Sequence, residues 1–448
     1  MTAEPARAAR RPTAVKRSWS RAVLTIVVAA ALAGCASLAT KVTAPNASAT
    51  TTPTEVRATD VARADPGSVS TAALVEGINA FGHDLYTQAA SSGNVVISPL
   101  SIEVALSMAR AGAGGVTAAE IDSAMHFPST GRDAQMNALT RDLATQDTAP
   151  TLPSPAASRD ANAPPAAPIL SIANAMFVQQ GFPIGQPFLN TMAADYGSGV
   201  RTVDFTSPSA IAIINAWVRT QTADRIQQLF DSLDPQTKLV LANAVYLKAD
   251  WAAPFAQDPT SDATFTTAAG KHITVPTMHQ TGSLGYASSD KWQAVALPYA
   301  GGTLTMYVIV PTTSTPLGDL LAPATLTQIS AVLRPTPLSL SLPRWTSTTK
   351  LNLVPALSAL GIHAAFTPTA DFSAMAPGLY IEQAVHRATI NVDEWGSEAA
   401  AVTGLAFPAS SMLAPLTVRA DHPFAYVIVN PQTGVVVFEG SVADPTAG

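Results

Sequence analysis

The sequence has very little cysteine: Cys35 is the only one in 448 residues. No intrachain disulfide can therefore form, and a structural metal site built from several cysteine thiolates is excluded. Charge is also scarce, at 12% of residues, and Asp and Glu outnumber Lys and Arg by 31 to 25 without any basic stripe. An acidic chain of this kind is not expected to bind nucleic acid.

The motifs of common enzyme classes are missing as well. The seven histidines show no metal-ligand spacing, and the chain contains neither a G-x-S-x-G nucleophile motif nor a phosphate-binding loop. Ser347 and Lys350 match the S-x-x-K motif of penicillin-recognising enzymes, but the S-D-N and K-T-G motifs that accompany it are absent. We therefore predict that the chain is not an enzyme and that it uses no metal or cofactor.

The first 34 residues have the pattern of a targeting signal. Six Lys and Arg residues accompany an apolar run over residues 22–33, which is too short to span a bilayer comfortably. The run ends in Leu32-Ala33-Gly34-Cys35, which resembles a bacterial lipobox, in which the cysteine is lipidated and becomes the mature N-terminus. We predict that a lipid on Cys35 holds the protein at the outer face of the plasma membrane, in a bacterial cell envelope. A plain secretory signal is the alternative.

The remaining chain is predicted to be a tether followed by one large domain. Residues 35–68 are rich in Ala, Thr and Pro and are expected to be flexible, and residues 69–448 are expected to form the domain. An Ala/Pro-rich excursion at 144–168 interrupts the domain without dividing it, because helix and strand patterns resume after it. Loss of residues 1–34, which hold six cations and one acid, changes the formal net charge from −6 to −11.

Hydrophobic patterning within the domain predicts an α+β fold. Helical spacing marks its first part, for example at Leu74 and Ile78. Residues 238–248 are strongly apolar and are predicted to form a strand that is buried on both faces. Strand patterns dominate after it, with helical patterns at 317–333 and 351–360 and no strict alternation of strand and helix.

One stretch fits neither an ordinary strand nor a linker. Residues 381–392 alternate in polarity as a strand does, and residues 394–413 follow them with the sequence EWGSEAAAVTGLAFPASSML. The alanine-rich half of this stretch lacks the large β-branched and aromatic residues of a core strand. It also lacks the density of glycine and charge that is typical of a disordered linker. Such a composition suits a loop that must be able to enter a packed sheet.

Four motifs resemble those of the serpin family and occur in the family's order. They are Asn94-Val95-Val96-Ile97-Ser98-Pro99-Leu100-Ser101-Ile102, Leu241-Ala242-Asn243-Ala244-Val245-Tyr246-Leu247-Lys248-Ala249-Asp250-Trp251 with Pro254-Phe255, Asp393-Glu394-Trp395-Gly396-Ser397-Glu398-Ala399-Ala400-Ala401, and Asp421-His422-Pro423-Phe424. The resemblance covers about residues 69–443. It implies a serpin fold of three β-sheets and eight or nine helices with an exposed reactive-centre loop.

The resemblance also implies a function, which is inhibition of a serine protease by a suicide route. The protease attacks the loop through its own serine and forms an acyl-enzyme, and the cut loop then inserts into the main sheet and distorts the protease. The expected partner is therefore a target serine protease, held in a covalent acyl complex by a monomeric inhibitor. The alternative is a non-inhibitory member of the family that serves as a lipid-tethered binding or adhesion protein.

By resemblance, the hinge of the loop consists of Glu394, Gly396, Ser397, Glu398, Ala399, Ala400 and Ala401. Strand periodicity puts Ser397, Ala399, Ala401 and Thr403 on one face and the charge of Glu398 on the other. A charge in the first set would stall insertion, because its burial costs several kcal/mol. Trp395 departs from the family, which usually has a charged residue there, and this departure bears on the rate of insertion.

Two positions fit the bond that a protease would cut. Counting forward from Glu394 gives Ser410-Ser411, whereas counting back from Pro423-Phe424 gives Met412-Leu413. Neither position has Arg or Lys nearby, which disfavours a trypsin-like protease, because its specificity pocket pairs an acid with a cation. Elastase-like or subtilisin-like targets are favoured, and Met412 also suits a chymotrypsin-like protease.

Five more residues match positions around the place where the family's sheet opens. Ser98, Ser101, Asn243 and His386 match a hydrogen-bonded cluster under the sheet, the shutter, and Trp251 matches the top of the opening, the breach. Taken singly, the serines would be separate helix caps, His386 a satisfied core histidine and Trp251 a core aromatic. The four matched motifs favour the cluster.

Overall fold

The part of the chain that the computed structural model describes comprises residues 53–89, 93–143, 165–166, 168–256, 260–312, 314–397 and 415–447. Helices and strands are mixed along these residues, and the strands form mainly antiparallel sheets. This arrangement confirms the predicted α+β class.

Seven strands form the first sheet, which we call the main sheet. They are β1 (Thr54–Val56), β3 (Ile169–Gln179), β4 (Val200–Val203), β5 (Leu239–Asp250), β11 (Trp345–Asn352), β12 (Gln383–Val392) and β13 (Gly396–Ser397). Their order is β1-β4-β3-β5-β13-β12-β11. We call the end of this sheet at Asp250 and Gly396 its top, and the opposite end, at Leu239, its base.

Nine strands form the second sheet. They are β2 (Val95–Ile97), β6 (Ser261–Thr266), β7 (His272–Ser288), β8 (Trp292–Pro298), β9 (Thr305–Pro311), β10 (Arg334–Pro343), β14 (Leu416–Arg419), β15 (Phe424–Val429) and β16 (Val436–Val442). The order is β14-β10-β7-β8-β9-β15-β16-β2, with β6 paired to β7. The long β7 pairs with β6 and β10 along most of its length and with β8 only at its end, so it joins two sheets. On one side of this junction lie β6, β10 and β14, and on the other lie β8, β9, β15, β16 and β2. With the main sheet, these two groups correspond to the three sheets that the resemblance implies.

Nine α-helices occur within the described residues. They are α1 (Ala72–Ala89), α2 (Pro99–Ala111), α3 (Gly115–Ala124), α4 (Arg132–Leu143), α5 (Gln186–Tyr196), α6 (Ala210–Gln221), α7 (Leu317–Leu320), α8 (Pro323–Val332) and α9 (Leu353–Ala359). A short 3₁₀ turn follows at Ala364–Phe366. The helix that matters most for the site is α2, because it packs beneath β3 and β5 and also against β16.

The continuous hydrophobicity of β5 is explained by burial on both faces. Leu241 and Val245 face the large core that the two sheets share with α1 and α2. Val240 and Ala244 face a smaller core on the other side, which α6 covers with residues such as Trp217. A parallel or central strand that is covered on both faces needs apolar side chains at nearly every position.

Two helix boundaries differ from the sequence prediction for local reasons. The helical pattern at 317–333 is broken into α7 and α8, because Pro323 cannot donate a hydrogen bond and instead begins a new helix. The pattern at 351–360 yields a helix only from Leu353, because the preceding residues belong to β11. Asn352 ends that strand and caps α9 through its side chain, which accepts from the Val354 N–H.

The predicted tether extends too far toward the domain. Residues 54–56 form β1 on the edge of the main sheet, where Glu55 pairs with Arg201, and Ala58 is buried. Composition alone suggested a flexible segment up to residue 68, but pairing with an open sheet edge overrides composition. The fold therefore begins by Thr54 instead of at residue 69.

Candidate functional site

The top of the main sheet contains a two-residue strand between its two central strands. Gly396 lies opposite Asp250 of β5, and Ser397 lies opposite both Ala249 of β5 and Val392 of β12, antiparallel to both. Below this point β5 and β12 pair directly with each other in a parallel ladder from Gln383 to Thr389. The start of the hinge thus already occupies the gap at the top of the sheet.

Glycine is the only residue type that fits at position 396, at the entrance of this gap. A Cβ atom there would lie 2.0 Å from the carbonyl oxygen of Ala249, and the backbone φ is +156°. Both the close approach and the positive φ require glycine. Gly396 pairs with Asp250 of β5, and its carbonyl accepts from the Asp393 N–H at 3.0 Å, so it both closes the turn after β12 and begins β13.

Two aromatic side chains, from the residues that directly follow β5 and β8, support the hinge. Trp251 is buried, stacks on Tyr299 at a ring-centroid distance of 4.5 Å, and donates its Nε1–H to the Asp393 carbonyl at 3.0 Å. The Tyr299 hydroxyl lies 2.6 Å from Ser397 Oγ, and burial raises the pKa of Tyr299 far above its usual range. The neutral hydroxyl of Tyr299 therefore holds the side chain of Ser397, which is the first hinge side chain that points into the protein.

Glu394 is a buried carboxylate with three donors around it. Its side chain is 2% exposed, and its Oε1 accepts from Arg344 Nε at 2.9 Å, from Arg344 Nη2 at 2.5 Å and from Thr260 Oγ1 at 2.5 Å. A buried carboxylate is tolerated only when it is paired and hydrogen-bonded in this way. The pair fixes the point at which β12 ends and the hinge begins.

The neighbouring Asp393 closes the turn between β12 and β13. Its Oδ1 accepts from the Trp395 and Gly396 N–H groups at 2.9 and 3.3 Å. Burial raises the pKa of Asp393 to about 6, although these two N–H groups and Arg344 act to lower it. Trp395 itself is 6% exposed, and its carbonyl accepts from the Trp251 N–H at 2.7 Å. The residue that departs from the family pattern is therefore a buried apolar side chain.

A second polar cluster lies under the middle of the main sheet. Asn243 stands opposite His386 on β12 and opposite Asn174 on β3, so three polar residues form one row across three strands. His386 Nδ1 is hydrogen-bonded to Asn243 Oδ1, and Asn243 Nδ2 donates to the Ser101 carbonyl and to Ser101 Oγ, both at 2.7 Å. The row therefore joins β5 to β12 and connects both to α2.

The N-terminus of α2 completes this cluster. Ser98 Oγ donates to the Val437 carbonyl of β16 at 2.6 Å and accepts from the Ser101 N–H at 3.3 Å as the helix cap. The Ser98 N–H donates to His386 Nε2 at 3.3 Å. All four residues that were predicted for the shutter (Ser98, Ser101, Asn243 and His386) are fully buried and share this one network.

The network fixes the protonation state of His386. Because Nε2 accepts a backbone N–H, the proton of the neutral ring is on Nδ1 and is donated to Asn243 Oδ1. Burial lowers the pKa of His386 to about 3, so the ring is neutral at physiological pH. A neutral ring can be buried here without a counter-ion.

Sequence reasoning missed four members of these two clusters. Asn174 donates its Nδ2–H to the Ser101 carbonyl at 3.0 Å. Its position in the middle of the largely apolar strand β3 was the one signal that the sequence offered. Tyr299, Arg344 and Thr260 come from separate loops and strand ends. Their sequence neighbours give no indication that they meet at the hinge.

Several predicted site residues lie outside the described part of the chain. They are Cys35, Glu398, Ala399, Ala400, Ala401, Ser410, Ser411, Met412 and Leu413. The signal segment 1–34 and most of the excursion 144–168 are outside it too. What the structure brings together is the hinge up to Ser397, the breach and the shutter.

The rival enzyme motif is not assembled into a catalytic pair. Ser347 and Lys350 lie on β11, where Ser347 is buried and Lys350 Nζ is paired with Asp231 at 2.6 Å. Residues three apart on a strand point to opposite faces, so these side chains cannot act on one substrate. Among the described residues, no cluster of His, Cys, Asp and Glu could hold a metal ion. No described helix has the length and hydrophobicity to cross a membrane.

Comparison with known proteins gives a consistent family. A family model described as "Serpin (serine protease inhibitor)" matches residues 76–445. This description names inhibitors of proteases, which are not catalysts. The matched range contains the hinge, the breach and the shutter.

Individual relatives agree with the family model. An uncharacterised serpin-like protein of Thermococcus kodakarensis is 35% identical over 385 residues, which cover 84% of this chain and 86% of that protein. The leukocyte elastase inhibitor of Bos taurus is 31% identical over 385 residues, or 82% of this chain and 97% of that protein. The crystal structure of a thermophilic serpin, tengpin, in its native state matches with a TM-score of 0.76 at 23% identity, covering 88% of this chain and 100% of that one. The last likeness concerns the fold alone.

Proposed function

Because the chain belongs to the serpin family, we propose that it is a suicide inhibitor of a serine protease whose cut reactive loop inserts between β5 and β12. Family members are serine protease inhibitors in general. The observation that carries the proposal is β13, because Gly396 and Ser397 already begin a strand between β5 and β12. Cleavage would free the rest of the loop to continue that strand.

The register of the sheet supports such a continuation. Ser397 is antiparallel to both neighbours, so a strand extended from it would run from the top of the sheet toward the base between β5 and β12. It would replace the single parallel β5–β12 ladder by two antiparallel ladders. Antiparallel pairing is slightly more stable per residue, and two ladders satisfy more backbone groups than one.

The shutter is the part that must open for this to happen. A strand that enters between β5 and β12 separates His386 from Asn243, whose side chains are now hydrogen-bonded to each other. A buried polar group without a partner costs about 1–3 kcal/mol, which resists opening in the absence of an entering strand. The shutter therefore helps to keep the uncut protein in its present form.

The proposed target is an elastase-like or subtilisin-like protease. Both candidate bonds, Ser410-Ser411 and Met412-Leu413, present small or medium side chains to the protease. The relative from Bos taurus is named as an inhibitor of leukocyte elastase, and it covers most of this chain. A trypsin-like protease would need a cation that this part of the loop lacks.

The test is an assay for a covalent complex. The chain without residues 1–35 is incubated with elastase, subtilisin, chymotrypsin and, as a negative control, trypsin, and the products are separated on denaturing gels. We expect a band at the summed mass with at least one of the first three enzymes. Clean cleavage of the loop by all three without any complex would instead support the alternative, a non-inhibitory, tethered binding protein.

The same reaction locates the cut bond. Mass spectrometry of the released C-terminal peptide distinguishes a fragment that begins at Ser411 from one that begins at Leu413. The first outcome supports the count from the hinge, and the second supports the count from Pro423. Gel filtration of the intact protein tests the further expectation that it acts as a monomer.

We also propose that a lipid on Cys35 tethers the inhibitor to the outer face of a bacterial plasma membrane. The lone cysteine stands at the end of a lipobox-like sequence. The chain joins the main sheet at its base, because Thr54 lies opposite Thr202, which lies opposite Val178, next to the Leu239 end of β5. The hinge is at the other end of the 12-residue β5, about 36 Å away. The first described strand and the hinge therefore lie at opposite ends of the main sheet.

Labelling of bacteria with radioactive palmitate tests the anchor. The full chain should incorporate label and sediment with membranes, whereas Cys35→Ser should do neither. Equal incorporation by both variants, or a soluble wild-type protein, would contradict the anchor and leave the secretory signal.

A further inference from the structure

The segment before α1 is docked against the domain over residues 53–64. We call residues 53–64 the N-terminal clasp. At its start, β1 pairs with β4, and the Glu55 carboxylate lies 3.2 Å from Arg201 Nη2. Pro53 and Ala58 are buried, and Val56 and Val61 pack against the main core.

The surface under the clasp is shaped to receive it. A Cβ atom at Gly199 would lie 2.5 Å from the carbonyl oxygen of Val56 and 3.0 Å from the side chain of Arg57. Gly199 has no positive φ that would explain the glycine through backbone conformation. The absence of a side chain at residue 199 is therefore explained by the close approach of the clasp.

The end of the clasp is fixed to two helices. Arg63 donates from Nε to Asn137 Oδ1 at 2.9 Å and from Nη2 to Thr140 Oγ1 at 2.7 Å, both on α4. Asn137, which is 2% exposed, donates back to the Ala64 carbonyl at 3.0 Å. The Ala64 N–H donates to the Ala194 carbonyl of α5 at 2.7 Å. Both the oxygen and the nitrogen of the buried Asn137 amide are thus hydrogen-bonded to the clasp.

The clasp consequently connects two layers of the fold. One end extends the main sheet at β4, and the other end is bonded to α4 and α5. These helices pack on α2, which in turn contacts β16 of the second sheet. A strand that enters between β5 and β12 must separate them by about one strand spacing, roughly 4.8 Å. β4 lies on the β5 side of the opening and would move with it.

We propose that the clasp restrains the main sheet from opening and thereby sets the rate at which a strand can enter it. A shift of β4 relative to α4 and α5 pulls the two ends of the clasp apart. Either the β1–β4 ladder or the hydrogen bonds of Arg63 must then break. This inference rests on the proposed insertion of the loop. The clasp, which follows the predicted tether, would be directly connected to the part of the main sheet that moves.

The test compares Arg63→Ala with Arg57→Ala in the full chain. Arg57 is exposed, carries the same charge and belongs to the same segment, so it controls for the loss of a cation. Hydrogen exchange of the β5 and β12 backbone amides is measured on the intact protein without protease. We expect exchange to be about tenfold faster in Arg63→Ala, since losing the two hydrogen bonds that the guanidinium donates to Asn137 and Thr140 makes opening easier. Arg57→Ala should match the wild type.

A chain that lacks residues 53–64 provides a second variant with a larger effect of the same sign. Its covalent-complex assay should show more uncut, uncomplexed inhibitor after storage, because a loop that has inserted prematurely is no longer exposed to the protease. If β5 and β12 exchange at the wild-type rate in both variants while only residues near Arg63 exchange faster, the clasp is merely docked and the proposal is overturned. Exchange needs no protease, so failure of the inhibitor proposal would appear separately, as the absence of a complex in every variant.

Discussion

Ser397 is the first hinge residue whose side chain points into the main sheet, and it tests the insertion mechanism. It is fully buried, and its hydroxyl is bonded to Tyr299. We expect Ser397→Arg to turn an inhibitor into a substrate, because the guanidinium would have to be buried at a cost of several kcal/mol. The measurement is the ratio of covalent complex to cleaved inhibitor on denaturing gels, which should fall at least tenfold.

Glu398→Arg is the matched control for this variant. Strand periodicity places residue 398 on the opposite face from Ser397, in the row of the half-buried Lys248, where a charged side chain can reach water. It should therefore form nearly as much complex as the wild type. Equal complex yields from wild type and Ser397→Arg would contradict insertion through this gap.

Glu439 on β16 is a buried carboxyl with neither oxygen hydrogen-bonded in the structure. A Cβ atom on Gly82 would lie 3.0 Å from Glu439 Oε1 and 2.6 Å from Pro99, so the carboxyl is close to the start of α2. Burial raises the pKa of Glu439 to about 8, and the group is therefore protonated in the folded protein at neutral pH. An apolar residue of similar size would avoid this unpaired polar group.

This pKa predicts a dependence of stability on pH. The folded state keeps the proton up to about pH 8, whereas the unfolded chain releases it near the ordinary value of 4.5. The contribution of Glu439 to the free energy of unfolding is therefore fully present below about pH 4.5. The free energy of unfolding then falls as the pH rises toward 8, by at most about 1.4 kcal/mol per pH unit. Glu439→Met should remove this fall, so its thermal midpoint should exceed that of the wild type most at pH 8. Glu76→Gln, at an exposed position, should follow the wild type at every pH.

At the scale of a strand, the register of β13 predicts where each later loop residue would lie. Ser397 is opposite Val392 and Ala249, and His386 is opposite Asn243 six rows nearer the base. An inserted strand without a bulge therefore brings Thr403 to the row of His386 and Asn243, on the same face. Its hydroxyl could replace the hydrogen bond that insertion breaks between those two side chains.

Thr403→Val tests this register. Valine has the same shape but no hydroxyl, so the row would be left with unpaired polar groups at a cost of about 1–3 kcal/mol. We expect less covalent complex and a lower thermal midpoint of the cleaved protein, with both restored in Thr403→Ser. Thr417→Val, on the exposed side of β14, should change neither quantity. Identical behaviour of Thr403→Val and wild type would mean that the loop enters in another register or not at all.

At the scale of the whole molecule, the proposed mechanism requires a native state that becomes more stable after cleavage. Nine rows separate Ser397 from the level of Gln383, and a new strand along them would pair on both sides. At roughly 1 kcal/mol net per added hydrogen bond, the gain is on the order of 10 kcal/mol. The thermal midpoint measured by calorimetry should then rise by about 12 °C when the loop is cut. A cleaved protein that melts at the same temperature as the intact one would contradict a metastable native state.

Much of the fold and part of the candidate site could be predicted because they depend on local patterns. Ser98 and Pro99 form a helix cap and first turn that their sequence specifies. The apolar run of β5 needs cover on both faces wherever it occurs. By contrast, Tyr299 and Arg344 reach the hinge from distant segments, and nothing in their neighbours indicates a partner there.

The sequence by itself determined the elements that local chemistry requires: the α+β pattern, the small-residue hinge after β12 and the order of the matched motifs. Only the tertiary structure decided that Gly396 and Ser397 form a strand in the main sheet and that the segment before α1 is docked. Gly396 begins β13, where the carbonyl oxygen of Ala249 approaches too closely for any side chain. Residues 53–64 looked like a linker but are docked, because an open edge at β4 and the buried amide of Asn137 both provide partners. Strand edges and buried polar groups exist only once the chain is folded, so composition could not reveal either outcome.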